Sequence, residues 1–326
     1  MIQQLTRDRI SGTDGRADTD VRIVTGLRAA NQSIAWIGAK TGTFAKHGLN
    51  VTFPRLEAGG PESVAGLLRG DWDFVHTGTV PIAEAVLNGG DAVILLRDSI
   101  LQDKIVIMTN PRITRLAQLS GKKVGVLFDV YSGQTGVIVR LAVESAGAAA
   151  TYVGLGTYRN IFAALVAGEI DAAALPIDYQ FLGQGQPRWN CFETRSLNVP
   201  VIFATTRGAI AAGRELVLRV LRGFVEAIHR FKTQAGAIVP LLQEYLDFSD
   251  RSAVERLHEY YASVFPVVPR PVLSDGMQDL RDLFSQRYPA ARELQEADIV
   301  DSSLIDDLEK SGFIAQLYDR SVEVPT

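Results

Sequence analysis

The chain has 326 residues, a formal net charge of −4 and a pI of about 5.7. That length exceeds what one hydrophobic core usually organises, so about two domains are expected. The mild acidity excludes the broad basic footprint of a nucleic-acid partner, and no apolar run nears the roughly 20 residues of a transmembrane segment. One cysteine, Cys191, excludes an internal disulfide and a cysteine-cluster metal site. No metal and no cofactor is expected.

Residues 1–20 are polar and arginine- and aspartate-rich, without the apolar core or small-residue cleavage site of an export signal. They read as a tail before a fold that starts near Val21. A chain that begins as written is expected in the cytoplasm; a truncated or misplaced start would put the same fold in the periplasm.

Val21 to Leu27 reads as the first strand, and Asn31 or Ser33 as the N-cap of a helix from Ile34 to Lys46. Leu49 to Leu56 alternates as a strand, with Pro54 marking an edge or an end. A helix from Pro61 to Gly70 follows, then the strand Phe74-Val75, a helix to Asn88, and the strands Ala92 to Leu96 and Lys104 to Thr109. Strands alternating with helices predict parallel pairing. Val124 to Phe128 opens a second unit of the same kind. Its loop, Asp129 to Gly136, carries Ser132 and Thr135, either of which is able to cap the next helix or to meet an anion there. Gly183 to Asn198 lacks clear periodicity, Val199 to Thr205 returns as a strand, and apolar residues at three- and four-residue steps from Gly213 to Gln234 predict an amphipathic helix.

One pattern occurs twice. LLRGDWDFVHTGTVP, from Leu67 to Pro81, returns ninety-eight positions later as LVAGEIDAAALP, from Leu165 to Pro176. In each an apolar helical turn ends at a glycine suited to a left-handed cap, an aspartate follows three places on, and a small-residue apolar strand runs out. Two similar α/β halves are implied. Loops at the carboxyl ends of parallel strands are the usual ligand sites, which directs attention to His76-Thr77-Gly78-Thr79 and to Asp178-Tyr179.

The early helix AKTGTFAKHGLNVTF, the paired LLRGDWDF and LVAGEIDA, LAQLSGKKVGV and SSLIDDLEKSGFI together resemble the type II periplasmic-binding-protein fold. The branch is that of the nitrate-, taurine- and sulfonate-binding proteins of ABC importers and the NMT1/THI5-like proteins. The resemblance implies an α/β fold of two lobes, each a mostly parallel sheet flanked by helices, with the ligand cleft between them. It places lobe 1 at 21–108 plus 201–326 and lobe 2 at 109–200, joined by crossing strands near Ile105 to Thr109 and Val201 to Thr205. Carried over by position, the ligand-binding residues are Asn31, Gln32, Ser33, His76, Thr77, Gly78, Thr79, Ser132, Gly133, Gln134, Thr135, Asp178 and Tyr179.

The function so implied is that of a solute-binding protein of an ABC importer, with an ABC permease as partner. Its small-molecule ligand would be a small organic anion, a sulfonate or an aromatic acid, or a nitrogen heterocycle. Tyr131, Tyr158, Tyr179 and Phe128 would suit an aromatic ring, and Trp36 and Trp72 read as packing residues on helix and turn, with the cleft rim as the alternative place for either. The alternative is a cytoplasmic enzyme on the same fold. The loop Arg28 to Ser33 lacks the nucleophilic cysteine of a related desulfinase, which leaves a decarboxylase, lyase or hydrolase using His76, Asp178 and Arg97.

Overall fold

The structure, a computed structural model, describes residues 19–99, 104–183, 189–194 and 197–319. Most of the expected polar tail lies outside these residues. The first half runs β1 (Thr19–Thr25), α1 (Ile34–Lys40), β2 (Leu49–Thr52), α2 (Gly60–Arg69), β3 (Phe74–Gly78), α3 (Thr79–Leu87) and β4 (Ala92–Arg97). The second runs β5 (Ile105–Thr109), β6 (Lys123–Val126), α4 (Gln134–Ser145), β7 (Thr151–Gly154), α5 (Tyr158–Ala167), β8 (Ala172–Pro176), α6 (Asp178–Gly183) and β9 (Asn190–Glu193). The chain then returns through β10 (Val201–Thr206) into the long helix α7 (Arg207–Thr233), α8 (Ala235–Leu246), α9 (Arg251–Val264) and further short helices.

Two sheets of five strands result, ordered β2-β1-β3-β10-β4 and β7-β6-β8-β5-β9. Position by position the two orders are the same, except that the antiparallel strand of each comes from elsewhere in the chain. β1 pairs parallel with β2 and β3, and β6 with β7 and β8. β10 is antiparallel to β3 and β4, and β5 to β8 and β9. The sheets are thus mostly parallel, and the parallel pairing expected from the alternation of elements gives way only at β5 and β10, the stretches expected to cross between the halves. The chain crosses from the first sheet to the second just before β5 and crosses back before β10, so each crossing strand enters reversed.

The repeated glycines do what their sequence context predicts. Gly70 (φ 78°) and Gly168 (φ 74°) are left-handed C-caps of α2 and α5. β3 and β8 are buried along their whole length, as strands covered on both faces must be. β2 stops at Thr52, before Pro54, on the edge of its sheet. The stretch around Cys191 is not irregular: Asn190–Glu193 forms edge strand β9, with Cys191 opposite Met108.

α7 lies across the first sheet and against α1. It is kinked at Gly213, which is where the amphipathic pattern begins. Phe224 on α7 meets Phe203 of β10 with ring centroids 4.7 Å apart. Both are fully buried, contributing roughly 1.5–3 kcal/mol each. Further along, Val300 bridges to Ile94 and the Asp301 N–H donates to the Ile94 carbonyl at 2.9 Å, tying the carboxyl-terminal helices to β4.

Candidate functional site

Four loops, after β1, β3, β6 and β8, converge between the sheets. After β1 the chain makes a single 3-10 turn, Ala30–Gln32. The Gln32 Oε1 accepts the Leu27 N–H at 2.9 Å and the Tyr245 hydroxyl donates to the Gln32 carbonyl at 3.2 Å. Ser33 stands at the N-cap of α1, as expected, but its side chain makes no capping bond. The Ser33 Oγ turns back to donate to the Ala30 carbonyl at 2.6 Å, because the turn leaves that acceptor nearer than the helix amides.

After β6, Asp129 organises the loop by accepting the Tyr131 N–H, the Ser132 N–H and the Ser132 hydroxyl, each at 2.7 Å. Burial pushes this carboxyl up, but the bonds from Ser132 and Tyr131 outweigh it and hold it below the usual range. The N-cap of α4 is Gly133 (φ 75°), with no side-chain cap, so Ser132 and Thr135 do other work. Ser132 serves the Asp129 loop, and the Thr135 hydroxyl bonds the Tyr158 hydroxyl at 2.9 Å.

Between these loops lies a cavity of about 40 Å³. Gln32, Thr77, Gly78, Ser132, Gly133, Gln134 and Thr135 line it, as do Leu27, Gly60, Pro61, Pro81, Leu127, Phe128, Asp129 and Gly136. Asn31, Ser33, His76, Thr79, Asp178 and Tyr179 are not among the lining residues. In the sequence Gly59-Gly60-Pro61 reads only as the opening of a helix, whereas Gly60 and Pro61 belong to the cavity wall. A Cβ on Gly60 would stand 2.8 Å from Pro81, so a glycine there permits the close approach of the first wall. The signal available was a paired glycine before a helix-starting proline.

Two side chains of the second sheet reach into the first. The Gln134 Oε1 accepts the Thr79 N–H at 2.7 Å and the Val80 N–H at 3.3 Å, at the start of α3. Its Nε2 donates to the Pro200 carbonyl at 3.4 Å, which also accepts the Thr79 hydroxyl at 2.7 Å. On the other side, the buried Asp178 carboxylate accepts the Ala30 N–H at 2.6 Å and the Tyr261 hydroxyl at 2.9 Å. Next to it Tyr179 is core: its ring lies 5.3 Å from Phe248 and 5.2 Å from Phe162, and burial pushes its phenol up.

Residues 30–232, more than half of the chain, match the sequence profile of the NMT1/THI5-like family. The chain belongs to that family. Its fold is also that of several solved structures. A protein of Bordetella bronchiseptica RB50 superposes with a TM-score of 0.75 at 16% identity, over 92% of this chain and 99% of that one. The alkanesulfonate-binding protein SsuA of Xanthomonas axonopodis pv. citri, bound to MOPS, gives 0.68 at 18% identity over 90% and 100%. The periplasmic nitrate-binding protein NrtA of Synechocystis PCC 6803 gives 0.65 at 10% over 90% and 89%. No curated protein matches the chain in sequence.

In this NMT1/THI5-like chain His76 and Asp178 do not face each other. Along β3, Thr77 turns toward the cavity while His76 turns to the other face, against the rings of Phe203 (6.1 Å) and Phe224 (5.4 Å). The His76 Nε2 sits 3.0 Å from the Asp98 carboxylate, and both side chains are fully buried. Burial pushes the imidazole down to about 3, against a smaller opposing effect of the Gln32 backbone, and pushes the Asp98 carboxyl well up. Both partners are thus held toward their uncharged forms. Arg97 lies away from the cavity, its backbone N–H on the Pro269 carbonyl (3.2 Å) and its guanidinium 3.4 Å from the Val272 carbonyl.

The aromatic residues divide in the same way. Phe128 is half-exposed on the cavity wall and Tyr131 is exposed beside it, whereas Tyr158 is fully buried. Trp36 packs on Tyr245 at 5.4 Å, and the Trp72 indole N–H donates to the Ser63 carbonyl at 2.6 Å beneath α2. Among the described residues no cluster of metal-ligating side chains occurs.

Proposed function

We propose that this chain is the solute-binding component of an ABC-type importer, taking a small organic molecule into the cleft between its two sheets and delivering it to a permease. The observation that carries this reading is the cavity walled by the loops after β1 and β3 from one sheet and after β6 from the other. Two sheets that each supply part of one wall exchange solute by separating and closing again. The solved relatives in this fold include an alkanesulfonate-binding protein bound to MOPS and a nitrate-binding protein, which supports a solute-binding role. We take β1–β4, β10 and the carboxyl-terminal helices as one moving lobe and β5–β9 with their helices as the other.

The lining narrows the ligand. It contains no lysine, arginine or histidine among the described residues, and its polar side chains are Gln32, Thr77, Asp129, Ser132, Gln134 and Thr135. The Asp129 carboxylate is taken up by the Tyr131 and Ser132 amides and the Ser132 hydroxyl, which leaves the neutral hydrogen-bonding groups and backbone amides to hold a ligand, with Leu27, Pro61, Pro81, Leu127 and Phe128 giving an apolar surface for a ring or short chain. Sulfonates, aromatic acids and nitrogen heterocycles such as pyrimidines all meet this description. At about 40 Å³ the cavity holds little more than a water molecule, so any of them requires the lobes to part.

A thermal-shift screen of these three classes tests the reading, since a ligand at 100 times its dissociation constant adds about 2.7 kcal/mol of stability. Incubation of the best hit with concentrated protein, followed by mass spectrometry, must return it intact. Conversion of the hit would overturn the solute-binding reading in favour of catalysis.

A further inference from the structure

The contacts of Gln134 and Asp178 follow one rule. Gln134 is the first residue of the helix after β6, and Asp178 the first residue of the helix after β8. Gln134 meets the amides at the end of β3, and Asp178 meets an amide in the loop after β1. By sheet position β6 corresponds to β1 and β8 to β3. The first-strand loop of one half therefore grips the third-strand loop of the other, and the reverse, as the two sides of an isologous contact do. Apart from the longer Gln134 Nε2 bond to the Pro200 carbonyl, both grips run in one direction. The acceptor comes from the second lobe and the N–H donors from the first, so the second lobe inserts and the first receives.

The sequence on the receiving side is shaped for this insertion. A Cβ on Gly78 would stand 2.8 Å from the Gln134 Cβ and Oε1 and 2.9 Å from its Cδ, so any side chain there would push Gln134 out. The backbone of Gly78 has φ −74°, a conformation any residue adopts, so the need for glycine comes from Gln134 and not from the turn. Gln134 is also nine-tenths or more buried and lines the cavity, whereas Asp178 is buried behind it.

We infer that Gln134 and Asp178 are latches by which the protein closes its own cleft. Asp178 pins the side nearer Tyr261 and Gln134 is the gate on the cavity, so the closed arrangement is favoured by the chain itself and a solute enters when Gln134 lets go of Thr79 and Val80. The inference rests on the cleft being the solute site, but its test needs no solute. A solute screen that fails and a latch that fails are thus separate results.

The test compares the wild-type protein, without added solute, with Gln134→Ala and Gly78→Ala by small-angle scattering and amide hydrogen exchange. The radius of gyration of a compact chain of this length is about 20 Å. Both variants are expected to exceed the wild type by on the order of 1 Å if the lobes part as a hinge. The Thr79 and Val80 amides are expected to be protected in the wild type and to exchange about tenfold faster in Gln134→Ala, the equivalent of one neutral hydrogen bond. Gly78→Ala removes no hydrogen-bonding group, so its opening would trace to the displaced Gln134 side chain. Equal radii in wild type and both variants would overturn the inference. Unprotected Thr79 and Val80 amides in the wild type would overturn it as well, whether or not either variant folds.

Discussion

The Asp73 carboxylate accepts the backbone N–H of Arg22 at 2.7 Å and its guanidinium at 2.8 Å, while the Asp73 N–H donates to the Arg22 carbonyl at 2.9 Å. The second half of the chain repeats the backbone part of this arrangement. Asp171 accepts the Lys123 N–H and donates to the Lys123 carbonyl, both at 2.9 Å. Each aspartate thus fixes the entry of the third strand of its sheet beside the first. Replacing Asp171 by alanine is expected to cost about 1 kcal/mol, and Asp73 about 1–2 kcal/mol because its bond to Arg22 is charge-assisted. Urea denaturation midpoints check both, and asparagine at 171 should retain most of the stability because its carbonyl still accepts the amide.

The glycine-x-x-aspartate pattern was legible as punctuation in both halves, and it led to the correct β3 and β8. The reason is local: a left-handed cap, a turn and a buried strand each write their own short signature. The exchange of β5 and β10 between sheets left no such local mark, and only the family resemblance placed crossing strands there. The pairing of Ile202 with Thr77 depends on residues more than a hundred positions apart, and an apolar strand reads the same whichever way its neighbour runs. The His76 reading failed for a related reason. Alternation along β3 separates Thr77 from His76, but only the position of α7 decides which face is cleft and which is core.

Burial holds the His76–Asp98 pair toward its uncharged form, and an uncharged pair has a mutational signature. Asparagine at 98 keeps a neutral acceptor 3.0 Å from the His76 Nε2 and is expected to change stability by less than about 1 kcal/mol. Alanine leaves a buried imidazole nitrogen without its partner and is expected to cost about 1–3 kcal/mol. An ion pair would respond differently, because breaking a buried one by neutralising a partner costs about 3–5 kcal/mol. Equilibrium unfolding of the two variants at neutral pH separates these cases.

Glu226 predicts an acid limb of stability. Burial pushes its carboxyl up, but hydrogen bonds from His47 and Lys46 outweigh this and draw it down to about 2, from 4.5 in the unfolded chain. A depressed carboxyl contributes stability that is present above the unfolded value and lost as the pH falls from 4.5 toward 2. Lys46 is half-exposed, so solvent screening reduces the contribution to about 1–2 kcal/mol. Melting temperatures of wild type and Glu226→Gln should differ at pH 6 and converge as the pH approaches 2. A difference that persists undiminished at low pH would show that Glu226 acts by packing.

Close packing at the junction of α1 and α7 predicts opposite outcomes for a glycine inside it and a helical glycine outside it. At Gly223 a Cβ would stand 2.4 Å from the ring of Phe44, which is fully buried and hemmed in by the helices. Alanine favours a helix by about 1 kcal/mol over glycine, but the overlap forces the ring or the helices apart at a typical cost of 1–3 kcal/mol. Gly38, across the same junction, has Phe44 and Ala227 at 2.8 and 3.0 Å from its own Cβ position, so the ring has no room to retreat and the overlap wins. Gly223→Ala is expected to lose up to about 2 kcal/mol. Gly236 in α8 meets nothing within 4 Å, and its alanine variant is expected to gain about 0.4–1 kcal/mol. Denaturant midpoints of the two variants, measured together, distinguish close helix packing from general helix propensity.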